Sequence, residues 1–92
     1  MSLQEQEPSV EVTVLFFAKA RDLVGKTHET LAFPRRLSYS TLVKALIYQL
    51  PCLEVLQQSV VIAINEEYVD EREPVQLKAE DVIAVIPPIS GG

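Results

Sequence analysis

Val82-Ile83-Ala84-Val85-Ile86, followed directly by Pro87-Pro88-Ile89-Ser90-Gly91-Gly92, is the stretch on which the fold turns. An unbroken apolar run rich in β-branched residues predicts a strand. Its lack of polar alternation predicts a strand covered on both faces, at the centre of a mixed sheet. The other most apolar strand lies at the opposite end of the chain. Val10-Glu11-Val12-Thr13-Val14-Leu15-Phe16-Phe17 alternates apolar with polar residues and then becomes wholly apolar, the pattern of a strand entering a core. Phe16 and Phe17 must point to opposite sides of a regular strand, so at most one of them fills the core.

Between these two strands the punctuation is clear. Ala18 to Val24 carries helix formers with Ala20, Leu23 and Val24 three and four apart, and Gly25 closes this short helix from the C′ position. Thr27 to Phe33, ending at Pro34, predicts a second strand paired with the first. Ser38-Tyr39-Ser40-Thr41 opens the strongest helix. A hydroxyl there can accept from the free amides of the first turn. Leu42, Leu46 and Leu50 with Val43 and Ile47 form one apolar stripe, and Pro51 stops the helix. Val60 to Ile64 is expected to be a compact buried strand, Asn65-Glu66-Glu67 a turn, and Tyr68-Val69 the start of a return strand. Asp70-Glu71-Arg72-Glu73-Pro74 is expected to be a solvated loop, with Val75-Gln76-Leu77 a short strand or bridge.

The resulting order is strand, short turn, strand, long helix and three further strands, an α+β arrangement in which one main helix buries a sheet face. If the second and third strands are parallel, the helix lies in a right-handed crossover. Setting the first and last strands side by side yields a β-grasp, ubiquitin-like mixed sheet, although periodicity alone leaves the strand order open. The chain divides into a disordered leader over residues 1–9, a β-grasp domain over 10–86 and a functional tail over 87–92.

Composition narrows the function. At 92 residues with 48% hydrophobic content the chain suits one small domain with a core of its own. No apolar run reaches the ~18 residues of a membrane span, and the first residues lack the basic-then-apolar pattern of a secretory signal. A cytoplasmic protein without membrane association is expected. A formal charge of −5 argues against phosphate-backbone binding and favours partners with basic surfaces. Cys52 and His28 are each single in the sequence, short of the four ligands of a structural zinc site, so no metal is expected. Cys52, within Leu50-Pro51-Cys52-Leu53, is expected to be buried as a small hydrophobe. His28 is expected in a half-exposed strand, and a Cys-His nucleophilic pair would require the fold to join them.

The tail carries the chemistry. If Gly92 is the natural end, the last group is a slim carboxylate on glycines that can pass through narrow openings. Pro87 and Pro88 favour extended backbone, so residues 87–92 reach on the order of 20 Å beyond the last strand. A terminal carboxylate is ionised at neutral pH and a poor electrophile. The chain has neither a Walker-type loop nor a Gly-x-Gly-x-x-Gly turn to hold ATP. Activation must come from a separate enzyme, and the chain would act as a carrier or a tag.

Leu15-Phe16-Phe17-Ala18-Lys19-Ala20-Arg21-Asp22-Leu23-Val24-Gly25 and Ile86-Pro87-Pro88-Ile89-Ser90-Gly91-Gly92 together resemble the first-strand signature and terminal motif of the small, sulfur-carrying subunits of molybdopterin synthase. The resemblance covers residues 10–92. It implies a β-grasp fold whose Gly92 is adenylated by an enzyme related to ubiquitin activators, with ATP as that partner's co-substrate and no tightly bound cofactor here. A sulfurtransferase then supplies the thiocarboxylate, and the tail enters the large synthase subunit, where sulfur passes to cyclic pyranopterin monophosphate and two deliveries build the dithiolene. It further implies a heterotetramer of two small and two large subunits, the small one a cosubstrate more than a catalyst.

On this sequence Gly92 carries the adenylate and then the sulfur, while Gly91 keeps the approach slender. Pro87 and Pro88 aim the tail and lower its ordering cost, and Ile89 and Ser90 complete the segment entering the partner. Phe17, Arg21 and Ile86 are the candidate docking residues, the first two balanced against simple roles as a covered or solvated turn residue and the third against a last core position. Rival functions are a sulfur carrier for thiamine or tRNA thiolation, a ubiquitin-like protein modifier, or an inert β-grasp adaptor.

Overall fold

The computed structural model describes residues 8–87. Strand β1, Ser9–Phe16, leads into helix α1, Ala18–Val24, and strand β2, His28–Pro34. A two-residue strand β3, Arg36–Leu37, precedes helix α2, Tyr39–Gln49, and a 3-10 helix over Pro51–Leu56. Strands β4, Val61–Ile64, β5, Glu67–Tyr68, β6, Val75–Gln76, and β7, Val82–Ile86, complete the domain. The main sheet has the order β2-β1-β7-β4-β5, and β3 pairs with β6 in a separate ribbon. β1 and β7 are parallel central neighbours, with Leu15 opposite Ala84 and Phe16 opposite Val85. β2 and β4 run antiparallel to β1 and β7 respectively. They are therefore parallel to each other across two intervening strands, so the chain from β2 through α2 to β4 is a crossover that spans the centre of the sheet. This is a β-grasp fold.

One sheet face is the core. Val12, Val14 and Phe16 of β1, Ile83 and Val85 of β7 and Ile62 of β4 are buried against Leu42, Val43 and Leu46 of α2. Ala20 of α1 and Leu53 of the 3-10 helix close the sides of this cluster. The Ser38 hydroxyl accepts from Thr41 N at 3.1 Å, capping α2 as expected. At the other end Gln49 Nε2 donates to Ala32 O of the edge strand β2 at 2.9 Å. The Tyr39 hydroxyl donates to Val60 O at 3.4 Å, and burial followed by the nearby Glu71 charge pushes its pKa up. Gly25 ends α1 at φ +83°, with its amide on Arg21 O, a conformation that glycine adopts without a Cβ penalty.

Three expectations are corrected. The apolar run of β7 is not covered on both faces: Val82, Ala84 and Ile86 are only half-buried, on the face opposite the helix. Val61 of β4 is likewise 40% exposed on that face. Cys52 is exposed rather than buried, because the chain after Pro51 continues as a 3-10 helix that turns Leu53 inward instead. Pro51 stops α2 yet starts this helix, since a first-turn residue needs no amide donor. His28 is exposed at the start of β2, with Nδ1 3.2 Å from Thr27 Oγ1. The acidic loop after Val69 is exposed and closes on itself, Arg72 donating to both carboxylate oxygens of Asp70 and holding that carboxyl below its ordinary value.

Candidate docking groove

The sheet face turned away from α2 is built by strand alternation. Each strand that sends one residue into the core sends the next to the opposite side. Following the register across the sheet, Leu15 lies opposite Ala84, Ala84 opposite Ala63, and Ala63 opposite Tyr68. Two alanines thus form the floor between a leucine and a tyrosine, and the size difference creates a trough. Phe17, 43% exposed, and Ile86 extend it at one end, and Val82, Asn65 and Glu66 bound the other. The groove encloses about 610 Å³. Apolar side chains left half-open over such an area mark a contact surface.

Phe17 is held in place by its backbone. Its amide donates to Val85 O at 3.3 Å, and its carbonyl accepts from Ala20 N at 3.0 Å as α1 begins. Phe16, one residue earlier, is 2% exposed in the core. The structure therefore separates the two phenylalanines as strand geometry requires. Ile86 lines the groove as the last residue of β7, and Pro87 after it is buried, so the chain is anchored up to that proline. Arg21 is exposed on α1 and outside the groove lining. Pro88, Ile89, Ser90, Gly91 and Gly92 lie outside the described residues.

The far end of the groove is set by a polar clamp that sequence reading missed. Asn65 and Glu66 adopt φ of +51° and +74° between the paired residues Ile64 and Glu67, a two-residue hairpin turn of the left-handed type. Asn65 Nδ2 donates to Asp81 Oδ1 at 3.0 Å, and Asn65 Oδ1 accepts from Val82 N at 3.0 Å. Asp81 also accepts from the Lys78 amide at 2.9 Å and from Lys78 Nζ at 3.3 Å. Asp81 is the buried charged residue among those described. Burial pushes its pKa up, but the bonds from Asn65 and Lys78 outweigh this and leave it below the ordinary carboxylate value. Asp81 and its donor Asn65 lie 16 residues apart in sequence, and the asparagine in the turn was the one local sign of the clamp.

No group of three or more potential metal ligands occurs among the described residues, and no described helix is long and apolar enough to cross a membrane. Among the described residues the groove offers apolar contact together with the Asn65 amide, the Glu66 carboxylate and the Tyr68 hydroxyl.

Comparison with known proteins places this geometry. The ThiS family profile matches residues 14–92. The chain is 39% identical to the molybdopterin synthase sulfur carrier subunit of Caenorhabditis briggsae, over 90% of this chain and 99% of that protein. It is 43% identical to the Arabidopsis thaliana protein of the same name, over 91% and 85% respectively. Among solved structures, small archaeal modifier protein 1 of Methanosarcina acetivorans superposes with a TM-score of 0.72 at 26% identity, over 92% of this chain and 99% of that one. Subunits 1 and 2 of the molybdopterin-converting factor of Helicobacter pylori, solved as a protein-protein complex, include a chain with TM-score 0.64 at 24% identity, covering 90% and 100%. With its β-grasp sheet and a match from β1 to Gly92, the chain belongs to the ThiS family, in which its curated relatives are molybdopterin synthase sulfur carrier subunits.

Proposed function

We propose that this chain is the sulfur carrier subunit of a molybdopterin synthase, with the Gly92 carboxyl as the group that is loaded and discharged. The carrying observation is continuity: Ile86 lines the apolar groove, and the residues that follow it are Pro87-Pro88-Ile89-Ser90-Gly91-Gly92. A partner that seats on the groove therefore receives the chain end beside it. The named function of relatives 39% and 43% identical over about nine-tenths of the chain supports the reading.

The chemistry follows from the carboxylate. A carboxylate oxygen attacks the α-phosphorus of ATP on a separate adenylyltransferase and expels pyrophosphate. Sulfur at the sulfide level then attacks the acyl carbon and expels AMP, leaving a thiocarboxylate. The large synthase subunit receives this end, and sulfur passes from it to cyclic pyranopterin monophosphate, two loaded chains completing one dithiolene. Two small and two large subunits make up the assembly. The groove supplies affinity and orientation, while the groups that handle the pterin belong to the partner, so this chain is spent and reloaded rather than catalytic.

Intact-mass measurement after incubation with the cognate adenylyltransferase, ATP and a sulfur donor tests the loading step. Exchange of one oxygen for sulfur at the C-terminus is the expected result, and an unchanged mass with enzymes competent on another carrier would overturn it. Removal of Gly92 is expected to leave a folded chain that still docks on the large subunit and delivers no sulfur.

A further inference from the structure

We propose that Glu66 is the charge that selects the groove's occupant: a partner segment placing apolar side chains on the Ala63 and Ala84 floor and a guanidinium or ammonium group against the Glu66 carboxylate. The proposal rests on the docking role given above to this face. Among the described residues, Glu66 is the sole charged one lining the groove. Tyr68 and Glu67 alternate across β5, so the neighbouring carboxylate belongs to the other face while Glu66 stays at the groove's rim. The turn that presents it is fixed from below, because Asn65 is bonded both to the buried Asp81 and to the first amide of β7. Glu66 is thereby held at φ +74°, where glycine would fit with less strain. A carboxylate on a rigid rim, beside apolar walls that exclude water, meets a complementary cation more strongly than one on a free loop.

Charge also decides between occupants. A second copy seated face to face would bring another Glu66, and none of the groove-lining residues is cationic. The chain's own Pro88-Ile89-Ser90-Gly91-Gly92 carries no cationic side chain either. A cation on a different chain is the complement that the groove lacks, and the net charge of −5 on this chain favours a partner with a basic surface.

The test measures affinity of the full chain for the large synthase subunit by calorimetry at low and high salt, for wild type, Glu66→Gln, Glu66→Lys, Glu66→Gly and Ala84→Arg, with melting curves for each. Ala84→Arg fills the trough and should abolish binding. Glu66→Gln should weaken it by roughly 3- to 10-fold at low salt, and Glu66→Lys further, the gap narrowing as salt rises. Glu66→Gly should bind as poorly as Glu66→Gln while melting at a higher temperature, which separates lost charge from lost fold. If all three Glu66 variants bind like wild type at both salt concentrations while Ala84→Arg does not bind, the charge proposal fails and the docking face stands. If Ala84→Arg binds normally, the docking face itself fails. Self-association of the wild-type chain that Ala84→Arg abolishes would assign the groove to a second copy and overturn the proposal.

Discussion

The two faces of the main sheet are made from alternate residues of the same strands, yet they differ in what completes them. The inner face is finished within the chain: Val12, Val14, Phe16, Ile83 and Val85 meet α2 and are almost wholly buried. The outer face presents Leu15, Phe17, Ala84 and Ile86 with comparable apolarity and leaves them partly open. Stability should therefore depend on the first set and association on the second. Adjacent residues can be read separately for the two properties.

Phe16 and Phe17 give the sharpest version of that contrast. Phe16→Ala should cost about 3–5 kcal/mol, because the ring is deleted from a closed core and leaves a cavity. Phe17→Ala should cost below about 1 kcal/mol of stability, as befits a partly exposed side chain, and instead weaken binding to the large subunit. Urea denaturation of both variants, paired with calorimetric titration, checks the split. Equal losses of stability would mean that the outer face is part of the fold's own core.

The clamp at the groove's far end is the next place to press. Asp81→Asn sets an amide N–H₂ against donors from Asn65 or Lys78 and should cost roughly 1.5–3 kcal/mol, the range for hydrogen bonds to a charged group. Because the folded-state pKa of Asp81 lies below its unfolded value, its contribution is fully present above the unfolded carboxyl pKa of about 3.9 and is lost as pH falls through the folded value. Wild-type stability should fall on acidification below about pH 4, and the Asp81→Asn variant should show a shallower acid limb in the same denaturation series. Identical limbs would remove Asp81 from the balance.

On the helix side, Ser38→Ala deletes the cap on Thr41 N and should cost about 1 kcal/mol, with Ser38→Asp restoring most of it. This change acts on the element that covers the inner face. Binding to the large subunit, measured well below the melting temperature, should be unaffected, and a parallel loss of affinity would couple the two faces.

Local signals in the sequence carried the elements that local physics governs. Ser38, the 42–43–46 stripe and Pro51 marked α2, and the Phe16-Phe17 alternation marked one inward and one outward ring. The pairing of β1 with β7 was expected only by adopting the β-grasp layout, since periodicity left the strand order open. The β3–β6 ribbon was not legible in full, since two residues on each strand make no periodicity. Nor was the 3-10 helix that exposes Cys52, because its three-residue repeat is too short to separate from a loop. The apolar run of β7 misled for a different reason. A continuous hydrophobic strand signals that both faces avoid water, and among the described residues no element covers the second face of β7. The same pattern that overstated the fold's own burial thus pointed at the docking face. The Asp81 clamp depends on contacts between distant residues, and the tail residues Pro88 to Gly92 were assigned their roles from the chemistry of a glycine carboxylate and from the family motif.

The smallest expected effect reads the outer face through its backbone. Ile64 and Glu67 close a two-residue turn whose central residues both have positive φ, and Asn-Gly is the sequence that suits it best. Asn65 fits the first position and uses its side chain on Asp81 and Val82, but Glu66 occupies the second at φ +74° with a Cβ that this region disfavours. Replacing it with glycine relieves the strain, though the more flexible unfolded chain takes back part of the gain. A net stabilisation of about 0.4–1 kcal/mol is expected, visible as a raised denaturation midpoint with an unchanged slope. A stabilising change that is absent from the chain, at the rim of the surface left open, is what a residue kept for binding would show. Should Glu66→Gly prove destabilising, the glutamate would be serving the fold, and the division of labour between the two faces would not extend to the hairpin.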